Sequence, residues 1–319
     1  MSPRFSVVIC TLNRRASLLR CLKSLAELSQ RDAARGTDRS ARWDVWVVDN
    51  NSTDGTLEAA RELAEDFPLR LNVVREERAG LSCARNRALE ESAAEVVVYT
   101  DDDVSYHDGW FDAWEAAFVE GDVVGAGGPV LPVFHEELPD WFRRGLLDGD
   151  GGPVAKYSCG EEVREYAPRN SSGQRCDVGH PRGCNMAMRR QLAIDLGGFR
   201  EDLGWGRTRV PAEETEFYQR LHDHGGRVLY LPAAKINHHM DPGRLTVPYI
   251  RRWYRGYGRA SIMMRPPGNP WAWSVKFAEQ GLNLVGFSLR LALPGGQQSF
   301  RAHKKQGQAM GRLAQLLGL

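Results

Sequence analysis

Three consecutive carboxylates, Asp101, Asp102 and Asp103, directly follow an apolar stretch, Glu95 to Thr100, that is predicted to be a buried strand. Like charges at this spacing repel one another, and crowding them is costly unless a cation or hydrogen bonds offset the charge. Because alternate residues of a strand share a face, we expect Asp101 and Asp103 to point into one cleft. Hard oxygen ligands favour Mg²⁺ or Mn²⁺. The triplet therefore predicts a divalent metal site; the alternative, an N-cap for a helix at Trp110 to Phe118, would need only one Asp.

A pair of histidines, His238-His239, follows a later apolar segment that is predicted to be a short strand. One imidazole from this pair could reach the same metal ion, and a nitrogen ligand would favour Mn²⁺ over Mg²⁺. A histidine pair at a strand end is also ordinary polar surface, and that interpretation stays open on the residues alone.

A second acidic cluster, Glu213-Glu214-Thr215-Glu216, lies in the first turn of a helix that Pro211 is predicted to open. Acidic side chains are stabilised there by the positive end of the helix dipole, which is a purely structural explanation. The chemical alternative is that one carboxylate holds a hydroxyl while its neighbour accepts the proton, as general-base catalysis requires.

The elements that position these clusters alternate between strand and helix. Strands are predicted at Phe5 to Cys10, Trp43 to Val48, Leu71 to Val74 and Glu95 to Thr100, with apolar helical stripes between them. Such repeats imply a mainly parallel, doubly covered sheet that binds ligands beyond the carboxyl ends of its strands. Polar residues occur at those ends: Thr11 to Arg14 after the first strand and Asp49 to Gly55 after the second, although the latter composition is also that of a turn and N-cap.

The rest of the chain is predicted to be less regular at first and then helical. Residues Pro129 to Arg182 form a long irregular excursion, and helices are expected at Val247 to Met264, Trp271 to Leu293 and His303 to Leu317. We expect three parts, at 1–130, 131–242 and 243–319, the last of them helical and basic.

Composition narrows the class of protein. The chain has 319 residues, 42% of them hydrophobic and 26% charged, as in an ordinary globular protein. The sequence lacks G-x-G-x-x-G after the first strand and any P-loop motif, and its six cysteines form no C-x-x-C pair. Without a signal peptide or a bilayer-spanning apolar stretch, the expected location is the cytoplasm.

Charge is distributed unevenly along the chain. From Asp241 onward there are 12 Lys or Arg residues against Asp241 and Glu279, a balance of +10, whereas the whole chain carries only +1. A basic tail behind an acidic body indicates contact with something anionic, either a phosphorylated substrate or an acidic lipid surface. Nucleic acid is not expected as a partner, because no nucleic-acid motif accompanies the basic residues.

Together these segments resemble the family-2 glycosyltransferases of the GT-A fold, from about Phe5 to Ser261. The similarity lies in the order and spacing of Val7 to Arg14, Val47 to Thr56, Gly80 to Asn86, the Asp-x-Asp segment Thr100 to Asp103, Gly183 to Met186, Gly197 to Phe199, Glu213 to Glu216 and Ala234 to His238. The resemblance implies an α/β fold in which a Rossmann-like, nucleotide-sugar-binding half at 1–130 joins an acceptor-binding half at 131–242 and a basic helical segment at 243–319. It also implies inverting transfer of a sugar, most simply from a UDP-sugar, to a hydroxyl or amine with Mn²⁺ or Mg²⁺.

The resemblance further assigns residue roles. Nucleotide-sugar binding is implied for Thr11, Asn13, Arg14, Asp49, Gly80, Arg85, Asp101 and Asp102. Metal binding is implied for Asp103 and His238, and the general base for Glu214, with Glu213 as the alternative because the family usually has Glu-Asp here. Contact with the acceptor or diphosphate is expected for Asn185, Trp205, Arg244 and Arg252.

The acceptor is expected to be a saccharide, a lipid-linked molecule or a small molecule, with peripheral contact between the basic tail and an anionic membrane. Arg251-Arg252-Trp253 is similar to the Gln-x-x-Arg-Trp motif of processive polymerases but lacks the Gln, which favours single addition. Two alternatives remain: a sugar-phosphate nucleotidyltransferase, which would typically have a Gly-rich basic loop after the first strand, and a non-catalytic carbohydrate- or membrane-binding protein.

Overall fold

The computed structural model describes residues 3–147, 152–154, 156–166, 179–206, 208–293 and 299–319. The chain divides into two compact units. The first comprises Met1–Val133, Ala155–Glu201 and Glu213–His239, and the second comprises Phe134–Val154, Asp202–Ala212 and Met240–Leu319.

Strands and helices alternate through the first unit and give way to helices at the C-terminal end. The strands are β1 (Phe5–Thr11), β2 (Trp43–Asp49), β3 (Arg70–Arg75), β4 (Val96–Asp101), β5 (Val104–Tyr106), β6 (Val123–Gly127), β7 (Val130–Phe134), β8 (Arg164–Glu165), β9 (Asn185–Arg189), β10 (Arg227–Tyr230) and β11 (Ile236–Met240). The helices are α1 (Arg15–Ala34), α2 (Thr56–Ala64), α3 (Leu81–Glu91), α4 (Trp110–Ala117), α5 (Asp140–Leu147), α6 (Arg190–Asp195), α7 (Glu213–His224), α8 (Val247–Met264), α9 (Pro270–Ala292) and α10 (Phe300–Leu316).

Eight strands form the central sheet in the order β3-β2-β1-β4-β9-β6-β10-β8. The first four are parallel, as the βα repeats predict, and β6 and β10 are also parallel. Strand β9 runs antiparallel between β4 and β6, and joins the two parallel halves. A smaller sheet has the strand order β5-β11-β7 and places β11 beside β5. Strand β5 begins directly after the Asp triplet.

Aromatic packing holds the parallel half together. Trp43 at the start of β2 is fully buried, stacks on Phe5 at a centroid distance of 4.5 Å and meets Phe111 edge-on at 4.8 Å. Phe111 belongs to α4, so these rings fix that helix against β1 and β2. Burying large aromatic side chains is the main stabilising contribution such contacts make. This packing lies at the amino ends of β1 and β2, which begin with Phe5 and Trp43.

The second unit packs α8 and α10 with their backbones in close approach. A Cβ on Gly311 would lie 1.9 Å from the carbonyl oxygen of Arg255, and one on Gly258 would lie 2.2 Å from that of Gln308. Glycine at both positions is therefore required for this helix pair. Phe142, Ile250, Tyr254 and Phe300 are among the residues that form the unit's apolar core. None of the helices that the structure describes is long and apolar enough to cross a membrane.

Two expectations from the sequence need correction. Helix α7 begins at Glu213 and not at Pro211, because Ala212 adopts a φ of 99°, outside the helical region. The stretch Pro129 to Arg182 is not irregular throughout, since its described part contains β7, α5 and β8. Residues 148–151, 155 and 167–178 of that stretch lie outside the described part of the chain.

Candidate active site

The acidic triplet lies at the carboxyl edge of the central sheet, where β1 and β4 end side by side. Asp101 is the last residue of β4 and pairs in register with Cys10 of β1, while Thr11 pairs with Asp49 at the end of β2. Asp101 is partly exposed, whereas Asp102 and Asp103 are buried. The sheet register therefore brings together the ends of three strands that the sequence pattern placed at one rim.

Arg14 and Thr11 neutralise and orient the two buried carboxylates. Arg14 forms ion pairs with Asp102 (Nε to Oδ1, 2.8 Å) and Asp103 (Nη2 to Oδ2, 2.7 Å). The Thr11 hydroxyl donates to Asp102 Oδ2 at 2.7 Å. Burial raises the pKa of Asp102 to about 7, with Arg14 opposing and Asp103 reinforcing that shift. The Arg14 guanidinium thus compensates part of the negative charge of the Asp triplet.

His238 reaches the triplet from β11. Its strand pairs antiparallel with β5, and this pairing places His238 opposite Val104, the residue that follows Asp103. His238 Nε2 lies 3.0 Å from Asp103 Oδ1, and both side chains are 2% exposed. His238 is an interior strand residue, not the surface histidine that one interpretation of the sequence allowed.

Asp101, Asp103 and His238 have the geometry that a divalent cation needs. One ligand atom from each lies within 4.8 Å of the others. His238 Nε2 faces the Asp103 carboxylate without a well-formed hydrogen bond, and its Nδ1 has no hydrogen-bond partner among the described residues. A buried ring nitrogen without a hydrogen bond is costly, and coordination to a metal ion would satisfy one of the two nitrogens. Two carboxylates and an imidazole suit Mn²⁺ and also accept Mg²⁺, so these residues fit the implied ion.

A second polar group lines the same rim at the end of β2. Asp49 is fully buried, and its Oδ2 accepts a hydrogen bond from the backbone N–H of Ser52 at 2.9 Å. Its Oδ1 is buried and has no hydrogen-bond partner among the described residues. Asn13, at a φ of 53°, accepts from Thr53 N–H at 2.7 Å and joins the β1 loop to this turn. The arrangement leaves one carboxylate oxygen of Asp49 without a donor among the described residues, although a carboxylate oxygen accepts N–H and O–H groups.

Asn50 fixes the loop that precedes α3. Its side-chain amide donates to the carbonyls of Glu76 and Arg78, and its Oδ1 accepts from the N–H of Gly80 at 2.8 Å. Gly80 adopts a φ of 137°, which favours glycine, immediately before the helix. Asn50 was not singled out from the sequence, although it lies within the polar segment that follows β2.

Arg85, on α3, forms a buried ion pair with Glu213. Arg85 Nη1 lies 2.8 Å from Glu213 Oε1, and each side chain is 4% exposed. Arg85 Nη2 also donates to the carbonyl of Gly183, and the guanidinium lies 5.4 Å from the centre of the Phe199 ring. Burial lowers the pKa of Arg85, but the nearby acidic groups, Glu213 first and then Asp101 and Glu214, together outweigh it, so that the pKa lies above its usual value. Glu213 is thus held by a permanent cation.

Glu214 differs from Glu213 in its exposure and in its electrostatic surroundings. Its side chain is only partly buried. Desolvation, followed by the charge of Glu213, raises the pKa of Glu214 to about 7, whereas Arg85 and Arg182 lower it. A carboxyl with a pKa near neutrality is well suited to accept a proton at physiological pH. Arg182 was also overlooked in the sequence, where the nearby Gly183-Cys184-Asn185 segment was the only signal.

Asn185, expected near the acceptor or diphosphate, lies instead in a fully buried network. Its amide donates to the carbonyls of Pro129 and Ala234, and its Oδ1 accepts from Trp110 Nε1. The side chain thereby connects β9 to the ends of β6 and β11. These bonds use the donors and acceptor of the amide, so the observed role of Asn185 is positional.

The other acceptor candidates belong to the second unit. Trp205 stacks on Tyr249 at a centroid distance of 6.5 Å, and the Arg252 guanidinium lies 5.4 Å from the centre of the same Tyr249 ring. Arg252 is exposed, and Arg244 is partly buried. Their expected contacts with acceptor or diphosphate remain predictions.

Comparison with known proteins agrees with this geometry. The sequence model of "Glycosyl transferase family 2" matches residues 6–197, more than half of the chain. The succinoglycan biosynthesis protein ExoM of Rhizobium meliloti is 25% identical over 316 residues, which cover 98% of this chain and 92% of that protein.

Solved structures share the fold at low sequence identity. S. aureus TarS 1-349 in complex with UDP-GlcNAc has a TM-score of 0.59 and 18% identity, covering 100% of this chain and 92% of that one. The mannosyltransferase PcManGT from Pyrobaculum calidifontis, in complex with GDP-Man and Mn²⁺, has a TM-score of 0.55 and 20% identity, covering 98% and 86%. Against GalNAc-T7 with UDP, GalNAc and Mn²⁺ the TM-score is 0.53 and the identity 17%; the match covers 81% of this chain and 48% of that chain. The mainly parallel nucleotide-binding fold predicted from the sequence is confirmed, and the chain belongs to glycosyl transferase family 2 as a glycosyltransferase of the GT-A fold.

Proposed function

We propose that this protein transfers a sugar from a UDP-sugar to a hydroxyl or amine of a saccharide acceptor, with inversion at the anomeric carbon and in the presence of Mn²⁺ or Mg²⁺. The observation that carries the proposal is the clustering of Asp101, Asp103 and His238 within 4.8 Å at the rim that also holds Asp49. A saccharide acceptor is supported by the ExoM similarity, since that relative is described as a biosynthesis protein for succinoglycan.

The nucleotide half of the donor would lie against the ends of β1 and β2. Asp49 Oδ1, buried and without a hydrogen-bond partner among the described residues, is placed to accept an N–H from the base. Thr11, Asn13 and Gly80 line the same loops, and we assign them to the base and ribose. Asp102, held by Arg14 and Thr11, is assigned to the ribose or diphosphate side.

The diphosphate would face the three candidate metal ligands. Asp101, Asp103 and His238 would hold the cation, which when bound neutralises charge on the departing diphosphate. Arg14 already pairs with Asp102 and Asp103, so its guanidinium is a second positive group at this position. The cation and the Arg14 guanidinium would together compensate the negative charge that develops on the diphosphate as the bond breaks.

Glu214 is assigned as the general base. As the acceptor oxygen bonds to the anomeric carbon, its proton passes to the Glu214 carboxylate, and the bond to the diphosphate oxygen breaks with its electron pair leaving on the diphosphate. Glu213 is buried and its carboxylate is engaged by Arg85 at 2.8 Å, so it is not placed to meet an acceptor hydroxyl. The choice between the two carboxylates thus rests on their different partners, and a single base on the acceptor side is what an inverting displacement requires.

Calorimetry with UDP tests the donor and metal assignments. UDP is titrated into the wild-type protein with and without Mn²⁺, and into Asp103→Asn, with GDP as the comparison nucleotide. Binding that tightens with Mn²⁺ in the wild type and loses that response in Asp103→Asn is expected. Asp108→Asn, at an exposed carboxylate paired with Arg35, is the matched control and keeps the response. Nucleotide binding that is indifferent to metal in the wild type would refute the proposal, and tighter binding of GDP would refute the UDP assignment.

A further inference from the structure

Helix α9, in the second unit, packs against α10 on one face and exposes the opposite face. One face is anchored to α10, where Arg312 Nη1 donates to the buried Gln280 Oε1 at 3.1 Å and Gln306 Nε2 donates to Ser288 Oγ at 2.9 Å. Leu291, on the same side, is buried. These contacts fix the rotation of α9 about its own axis and therefore determine which side chains face outward.

The outward face forms a continuous row of large apolar side chains. At helical spacing, it is made up of Trp271, Val275, Leu282, Val285, Leu289 and Leu293, all exposed, with Trp271 at 78% and Leu282 at 76%. The row runs the length of the helix, roughly 33 Å at 1.5 Å per residue. Single exposed apolar residues are common on protein surfaces, but a contiguous row of this length marks a contact surface.

The C-terminal segment that carries this row is strongly basic. Its exposed basic residues are Arg265, just before α9, and Arg290, on α9, together with Arg301 and Lys305 on α10, which packs against α9, and Arg251, Arg252 and Arg255 on α8, which packs against α10. From residue 241 onward the sequence contains only two acidic residues, Asp241 and Glu279, and Glu279 is paired with Lys276 at 2.8 Å. Most of the positive charge of residues 241–319 therefore has no acidic counterpart within this segment.

Charge complementarity decides what covers the row. A second copy of the chain would bring one strongly basic surface against another, which opposes association. A bilayer with anionic headgroups offers apolar volume for the row and negative charge for the surrounding Arg and Lys side chains. Trp271 also has the amphipathic ring that is favoured at the boundary between acyl chains and headgroups.

We propose that α9 lies in the plane of an anionic membrane surface, with its outward apolar row buried at the headgroup boundary and the neighbouring basic side chains on lipid phosphates. None of the residues of this row is among those assigned to donor binding and catalysis. The sequence predicted membrane contact only from the basic charge of the tail; the apolar row on α9 adds a hydrophobic contribution to that contact.

Vesicle flotation with the full chain tests the proposal. Vesicles of phosphatidylcholine alone are compared with vesicles that also contain phosphatidylglycerol, at low and high salt. We expect binding to the anionic vesicles, and a drop of about tenfold or more in Leu282→Gln/Leu289→Gln, which removes apolar area without changing charge. The matched control is Val119→Gln/Val163→Gln, a pair exposed at 71% and 61% in the first unit, and it binds as the wild type does.

Three results would overturn the proposal. Absence of binding to anionic vesicles removes the membrane as the occupant. Equal binding by the α9 double variant and the wild type attributes attachment to charge alone. A dimer in analytical ultracentrifugation that the α9 variant dissociates, without vesicle binding, assigns the row to self-association. The UDP titration described above is independent of all three results, so failure here is distinguishable from failure of the proposed function.

Discussion

Replacing Glu214 by Gln is expected to stabilise the fold while abolishing sugar transfer. The pKa of Glu214 is raised from 4.5 to about 7 by desolvation and by the charge of Glu213. A carboxyl whose pKa is higher in the folded state binds more protons there than in the unfolded state. The free energy of unfolding therefore falls as the pH rises from about 4.5 to 7, and the ionised carboxylate continues to destabilise the folded state at higher pH. Gln has a similar shape and no charge, so it removes this destabilisation.

The size of the effect follows from the shift. At 1.36 kcal/mol per pKa unit, a rise from 4.5 to about 7 corresponds to roughly 3 kcal/mol as an upper value. Because the side chain is partly exposed and screened by water, we expect about 1–2 kcal/mol at pH 8. At pH 5 most of the carboxyl is protonated in the folded state, and the gain falls below about 1 kcal/mol.

Urea denaturation of the wild type and the variant at pH 5 and pH 8, followed by fluorescence, measures this difference. Transfer activity is assayed in parallel, and it should fall by about two to four orders of magnitude if Glu214 is the base. Glu62→Gln, an exposed position on α2, controls for the loss of a carboxylate at the surface. A variant that is less stable than the wild type at pH 8, or that retains full transfer, would refute the reasoning.

Other perturbations test separate parts of the structure. Glu213→Gln leaves a buried guanidinium without its carboxylate, which should lower the free energy of unfolding by about 3–5 kcal/mol in urea; a loss under about 1 kcal/mol would show the pair to be dispensable. In Gly128→Ala, the new Cβ would lie 2.0 Å from a backbone carbonyl oxygen, and we expect a loss of about 1–3 kcal/mol, whereas Gly121→Ala, with open space around it, should be near neutral. Mn²⁺ at a hundredfold excess over its dissociation constant should stabilise the wild type by about 2.7 kcal/mol in thermal unfolding, and an unchanged gain in Asp103→Asn would move the metal site elsewhere.

The carboxyl-edge chemistry could be predicted from local sequence because it depends on where strands end. Asp101 ends β4, Asp102 and Asp103 follow it, and Asp49 ends β2, so the alternation of strand and helix was enough to bring them to one rim. His238 was named as a candidate ligand for the same reason. Its interior position became evident only from the antiparallel pairing of β11 with β5.

The ion pair between Arg85 and Glu213 could not be predicted, because its partners are 128 residues apart and no periodic pattern connects them. The same applies to the hydrogen bonds of Asn185, which depend on β9 entering the sheet between β4 and β6. Helix α7 was expected to start at Pro211, and local sequence gave no sign that Ala212 would adopt a positive φ. Contacts between residues far apart in the sequence, and unusual backbone conformations such as that of Ala212, cannot be predicted from sequence periodicity.

The insertion of β9 has a consequence for how the protein is made. Strands β1 to β4 occupy the first 101 residues and can pair with one another as they emerge from the ribosome, whereas β6 reaches β4 only through β9, and β11 is synthesised later still. Asp101 and Asp103 are thus translated long before His238. A nascent chain can form the loops that follow β1 and β2 early, but the complete set of candidate metal ligands exists only once β11 has emerged and paired with β5, so any metal binding at this site would follow that pairing.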